Sequence, residues 1–179
     1  MAPPAVTFPV ADASSAVERE FLAAYDAYAD AIFRHCYFRA FDRERGKDLM
    51  QETFMRMWGY LSKGGEVQNM RAFLYRIANN LLADEARKKK EMSLDKLQED
   101  GFDPGLDETP IMQSKIEHSR VMRSLTHLDD NYREMIVMRY VNELSPSEIA
   151  EVTGESANTV SVRIYRGLKQ LRSCLATAY

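Results

Sequence analysis

Apolar residues return every three or four positions through most of the chain, the spacing of helices that bury one face. From Val17 to about Phe41 the stripe is Phe21, Tyr25, Tyr28, Ile32 and Cys36. Asp48 to Leu61 carries a second stripe, Met50, Phe54, Met57, Trp58 and Leu61, with Asp48 placed to cap the helix and Gln51 to reach back. A third helix is expected from the Asn69 cap to about Lys90, burying Phe73, Leu74, Ile77, Leu81 and Leu82. Its second stripe is polar: Arg76, Asn80, Asp84 and Arg87, with Arg71 and Asn79 beside it. Ile116–Leu125 and a segment from Asp129 or Asp130 to Val141 read as two further helices. The pattern predicts an all-α fold in two small helical domains, a bundle over 17–90 and a second unit over 115–179.

Between these units the chain changes character. Glu91 to about Ser114 holds Asp95, Glu99, Asp100, Asp103, Asp107 and Glu108 against Lys96, broken by Gly101, Pro104, Gly105 and Pro110. Such a stretch repels itself and buries little, so a flexible acidic linker over 91–114 is expected. Residues 1–16, rich in Pro, Ala and Ser, read as a disordered tail.

Ser145–Leu171 carries the most specific signal. Ser145, Pro146 and Glu148 form a helix start with a capping box, and Ile149, Ala150 and Val152 follow as its buried side. Gly154 stands where the chain must turn, and Ser156 caps a second helix with Val160, Ile164, Leu168 and Leu171 inward. A small residue at the helix contact, a glycine in the turn and an apolar plug beyond it are what a helix-turn-helix requires. From Ser156 to Arg172 there are four bases and no acid, and Asn158, Val162, Tyr165, Arg166 and Lys169 lie opposite the apolar stripe. Arg163 projects from the flank and Ser161 lies at the margin. Such a face neutralises phosphates, while residues near the helix N-terminus reach base edges. An ordinary solvated basic face is the bland alternative.

Charge and composition then narrow the function classes. The net charge is −3, yet the acids gather in the linker and the bases in the helices on either side. Cys36 and Cys174 have no CxxC spacing and imply neither a disulfide framework nor zinc. No apolar run approaches the roughly 18 residues of a membrane span. The start MAPPAVTFPVADASS lacks signal-peptide character, so a soluble cytoplasmic protein is expected. There is no nucleophile–base set, phosphate loop or metal-ligand cluster, hence no enzyme, no catalytic residue, no metal and no cofactor is expected. His118 and His127 read as surface or packing residues.

Three stretches in order, DLMQETFMRMW, RAFLYRIANNLLADEARKK and LDDNYREMIVMRYVNELSPSEIAEVTGESANTVSVRIYRGLKQLR, resemble the two domains of a bacterial RNA polymerase sigma factor of the extracytoplasmic-function group. The resemblance covers about residues 18–90 and 115–173. It implies a non-catalytic subunit that directs core polymerase to promoters. Asp48, Gln51, Glu52 and Arg56 would contact the clamp helices of the largest polymerase subunit, with the flap as a further polymerase contact. The loop 62–69 and the third helix would hold the melted minus-ten strand, through Lys63, Arg71, Arg76, Asn79, Asn80, Asp84, Arg87 and Lys88. The helix-turn-helix would read the minus-thirty-five element through Ser156, Asn158, Thr159, Ser161, Val162, Arg163, Tyr165, Arg166 and Lys169. An anti-sigma factor is the further partner implied. Ser161 and Val162 depart from the lysine and small polar residue common in relatives, so promoter sequence is not transferable. The rivals are a stand-alone helix-turn-helix regulator and a sigma mimic that only binds an anti-sigma factor.

Overall fold

A computed structural model describes residues 10–95 and 120–177, and all of the described secondary structure is helical. The elements are α1 (Val10–Ala40), α2 (Arg43–Leu61), α3 (Met70–Asp95), α4 (120–126), α5 (Asp130–Ile136) continuing as a π-helical turn (Val137–Val141), α6 (Pro146–Thr153) and α7 (Ala157–Thr177). The expected linker beyond Asp95, and the start of the helix expected from Ile116, lie outside the described residues. Two boundaries differ from the periodicity. α1 begins at Val10, inside the stretch expected as tail, and α3 continues past Lys90 to Asp95.

The turn between α1 and α2 is a third correction. Phe41 adopts φ 59, donating its N–H to the Tyr37 carbonyl at 2.8 Å, and Asp42 then caps α2 by accepting from the Arg45 N–H at 2.8 Å. Asp48 therefore lies inside α2 and caps nothing; the capping acid is Asp42, further upstream, because the helix starts as soon as the chain has reversed. The reversal lays α2 tightly on α1. A Cβ on Gly46 would stand 3.0 Å from the Tyr37 Cα, so glycine is needed for the approach itself.

The apolar stripes find each other much as their spacing predicts. Ile32, Cys36, Leu49, Phe54, Met57, Leu61, Leu74, Leu81 and Leu82 are buried. Tyr25 at 39 % and Trp58 at 37 % exposed are exceptions, the Trp58 ring lying edge-on to Phe21 at 5.2 Å. Burial pushes the Cys36 thiol up to about 12, so it stays protonated as core filling. In the C-terminal unit Val160 and Ile164 are buried, while Leu168 and Leu171 are partly so. The capping box forms as expected: the Ser145 N–H donates to Glu148 at 2.8 Å and the Glu148 N–H to the Ser145 hydroxyl at 3.3 Å. Gly154 turns the chain at φ 74.

The two units do not stand apart. One apolar cluster runs continuously from α1, α2 and α3 into Met135, Met138, Leu144, Ile149, Val152 and Val160. A second joins Phe38 and Phe41 to Leu125, Leu128, Tyr132 and Leu168. Ala72, Tyr75 and Ala78, which lie off the predicted inward stripe of α3, are buried as well.

Gly46→Ala tests the tight α1–α2 crossing. With the only relief a shift of backbone, the substitution is expected to destabilise by about 1–3 kcal/mol, read as a lower midpoint in thermal unfolding followed by circular dichroism. An unchanged midpoint would contradict the close approach.

Candidate nucleic-acid interface

The residues expected to meet the minus-thirty-five element all lie on α7 or its cap. Ser156 starts the helix, accepting from the Thr159 N–H at 3.1 Å. Asn158, Thr159, Ser161, Val162, Tyr165, Arg166 and Lys169 are exposed, Tyr165 at 70 %. Arg163 is held sideways against Glu155 at 2.6 Å, and the Ser161 hydroxyl turns back onto the Ala157 carbonyl at 2.8 Å. The face thus presents bases and amide or hydroxyl groups to solvent on one side of a helix anchored by Val160 and Ile164. That is the form in which a helix enters a major groove.

The residues expected on the minus-ten strand divide into two sets. Lys63, Asn80, Arg87 and Lys88 are exposed, and Asp84 accepts from Arg87. A cleft between α2 and α3 brings Asp84 and Lys88 beside Asp48, Glu52 and Arg56 from the set expected to meet polymerase. On α2 the Arg56 guanidinium donates to Glu52 at 2.9 Å, and Gln51 is exposed.

Arg71, Arg76 and Asn79 instead face the C-terminal unit. Arg71 donates to the Glu148 carboxylate at 2.7 Å and to the Asn142 carbonyl at 3.0 Å. Arg76 donates to the Glu151 carbonyl at 3.1 Å, and the Asn69 amide meets both oxygens of the Glu151 carboxylate at 3.0 Å. The backbone and side-chain bonds from Ser145, which make up the capping box, hold the Glu148 carboxyl below the usual carboxylate range, with Arg71 adding to the effect.

Beneath this contact lies a buried polar bridge that the hydrophobic pattern did not reveal. His35 on α1 is 0 % exposed, with Nδ1 2.9 Å from Asn142 Oδ1 and Nε2 2.8 Å from the Asn79 amide. The Asn142 amide nitrogen donates to the Ala31 carbonyl at 3.1 Å, which turns its oxygen to the ring. Burial, reinforced by the Arg39 charge, lowers the His35 pKa to about 4, so the ring is neutral near pH 7. A neutral imidazole donates from one nitrogen only. Nδ1 therefore carries the proton that Asn142 Oδ1 accepts, and Nε2 stands 2.8 Å from Asn79 Oδ1; the Asn79 nitrogen lies 3.8 Å from the Met138 sulfur. The π-helical turn, whose Val137 carbonyl accepts from the Asn142 N–H at 3.1 Å, delivers Asn142 to this position.

Nearby, Arg39 is 8 % exposed and reaches Asp130 at 3.3 Å, while its Nε and one terminal nitrogen have no partner among the described residues. Arg39 also lines a cleft of ≈ 600 Å³ between the units, with Arg76, Asn80, Glu134, Glu151 and Arg163. Arg133 ties α4 to α5 by donating to the Leu125 and Leu128 carbonyls at 2.8 and 2.7 Å, with its guanidinium over the Phe41 ring. His35, Arg39 and Asn142 were invisible to periodicity because each is polar on a helix or turn whose partner comes from distant sequence. Among the described residues no cluster of three or more His, Cys, Asp or Glu fits a metal ion, and no helix is long and apolar enough to cross a membrane.

A helix-turn-helix with an exposed basic second helix, packed on a helical bundle, is the form of a DNA-binding protein. Residues 24–91 match the family Sigma-70 region 2, and residues 118–171 match Sigma-70, region 4. Over 161 residues the chain is 30 % identical to the ECF RNA polymerase sigma factor SigW of Bacillus subtilis, covering 84 % of this chain and 86 % of that one. In three dimensions it resembles CnrH, solved in complex with the cytosolic domain of CnrY (25 % identity, TM-score 0.70, covering 94 % of this chain and 96 % of that one). It shares its fold with RpoE from Bartonella quintana, solved with the anti-sigma factor NepR (20 % identity, TM-score 0.70, covering 89 % and 96 %). The chain belongs to the ECF sigma factors, the non-enzymatic sigma-70 proteins of transcription initiation.

The bridge predicts a pH dependence of stability. Between about pH 4 and 6.5 the unfolded chain binds a proton at His35 that the folded chain refuses. Stability from this residue is complete above pH 6.5 and falls as the pH drops toward 4, by roughly 3 kcal/mol in total. Thermal melts across that range should show a shallower slope for His35→Gln than for the unaltered chain; equal slopes would contradict the bridge.

Proposed function

We propose that this chain is a dissociable cytoplasmic promoter-specificity subunit in which α7 reads the minus-thirty-five element as duplex. In the same proposal α3 with the loop 62–69 takes the melted minus-ten strand. Asp48, Gln51, Glu52 and Arg56 on α2 meet the clamp helices of the largest polymerase subunit, and the C-terminal unit meets the flap. The observation that carries the reading is the exposed basic face of α7, displayed on a fully formed helix-turn-helix. Arg166 and Lys169 supply phosphate contacts, which position the helix, and Asn158, Thr159 and Val162 lie nearer its N-terminus, where base edges are read.

Support for the polymerase contact comes from Met55, 67 % exposed on the same stretch as Gln51, Glu52 and Arg56. A flexible thioether ringed by polar groups suits a protein surface better than open water. Support for control by an anti-sigma factor comes from relatives, among them RpoE solved with NepR.

In vitro transcription with host core polymerase and a pool of genomic fragments tests the reading. Promoter-dependent transcripts that need this chain are the expected result, and their absence from every template would overturn it. A narrower test uses Arg166→Ala combined with Lys169→Ala. The holoenzyme should bind promoter fragments more weakly, and the slope of log affinity against log salt should shrink by roughly 2, about 0.9 for each phosphate no longer neutralised. An unchanged slope would remove these two residues from the interface.

A further inference from the structure

The C-terminal unit engages Arg71, Arg76 and Asn79, three of the α3 side chains proposed to take the melted strand. Arg71 and Arg76 direct their guanidinium groups at the Glu148 carboxylate and the Glu151 carbonyl, and Asn69 gives its amide to the Glu151 carboxylate. Asn79 is bound to His35 and lies 3.8 Å from the Met138 sulfur. Carboxylate and carbonyl oxygens are the same kind of acceptor that a phosphate backbone offers to these donors. We propose that α6 acts as an intramolecular stand-in for nucleic acid, clasping the strand-binding face of α3 so that the free chain is closed to single-stranded DNA.

The inference rests on the proposed role of α3. Given that role, closure and promoter binding exclude each other on distance alone. Elements centred near −10 and −35 lie about 25 base pairs apart, roughly 85 Å along a duplex. α6 belongs to the same helix-turn-helix as α7, and its side chains touch α3 at 2.7–3.0 Å. No chain can keep that contact while α3 holds one element and α7 the other. The clasp is also of a kind that a competitor can displace. Arg71 and Glu148 are 35 % and 39 % exposed, so the ion pair is weakened by solvent and by salt.

Two variants separate the clasp from its alternatives. Glu148→Gln with Glu151→Gln removes both carboxylates, and glutamine keeps the capping box. Asn142→Ala changes no charge and deletes a side chain whose hydrogen bonds, to His35 and Ala31, run only across the seam. Glu18→Gln with Glu20→Gln, both exposed on α1, reproduces the charge change away from the contact. The probe is a fluorescein-labelled single-stranded DNA pool of about twelve randomised nucleotides, titrated with each full-length chain and read by anisotropy. Both seam variants are expected to bind at least about fivefold more tightly than the unaltered chain, because more of the population is open; the α1 control should not. Unchanged affinity in both seam variants, or an equal gain in the control, overturns the clasp. If the unaltered chain directs promoter-dependent transcription while the seam variants gain nothing, the clasp alone fails. If none of the chains supports initiation, the reading on which it rests fails instead.

Discussion

A buried imidazole must find a partner for each of its two nitrogens inside the protein, because leaving either one unpaired costs a few kcal/mol. His35 sits on α1, yet the groups within hydrogen-bond distance of its two nitrogens are the side-chain oxygens of Asn79 on α3 and of Asn142 on the turn after the π-helix. The three polar side chains are separated by up to 107 positions in sequence, so the bridge exists only when the two helical units are closed on each other. Neutrality is part of the constraint. A protonated ring in that position would carry charge beside Arg39, and burial already disfavours it. The seam around the bridge is then completed by apolar contacts at Phe38 and Phe41 and by polar contacts along α3.

This arrangement makes α3 a helix with two covered sides and one open end. Its apolar stripe belongs to the bundle, its N-terminal polar residues to α6, and the stretch from Asn80 to Lys88 mostly to solvent. α7 differs in keeping Tyr165, Arg166 and Lys169 exposed, because the helix is anchored from behind by Val160 and Ile164 and laid against α5 at Gly167. In this state the face of α7 proposed for the minus-thirty-five element is open, and the face of α3 proposed for the minus-ten strand is partly occupied. The occupying groups are the Glu148 and Glu151 carboxylates and the Asn142 and Glu151 backbone carbonyls.

Much of this was legible from residue spacing. The stripes of α1, α2 and α3, the Ser145 capping box, the Gly154 turn and the basic face of α7 follow from local periodicity and turn chemistry, and all depend on neighbours within a few residues. Local rules failed where distant chain intervened. Asp48 looks like a cap, but the true cap is Asp42, because Phe41 accepts a left-handed conformation that few residues other than glycine adopt. Tyr75 and Ala78 lie off the expected stripe of α3 and are fully buried, Tyr75 with its ring edge-on to His35 of α1 at 5.2 Å. His35 next to Cys36 gave no hint of Asn142, since a hydrogen bond between a helix and a remote turn leaves no periodic trace.

Paired spin labels at Gln68→Cys and Ser147→Cys, in a Cys174→Ser background, would report the seam directly. Both positions are exposed, on the loop before α3 and on α6, and the buried thiol of Cys36 will not take the label. The account predicts one short, narrow distance distribution in the free chain and a long one, of tens of ångströms more, once core polymerase and promoter DNA are added. The same short distance in the promoter complex would contradict it.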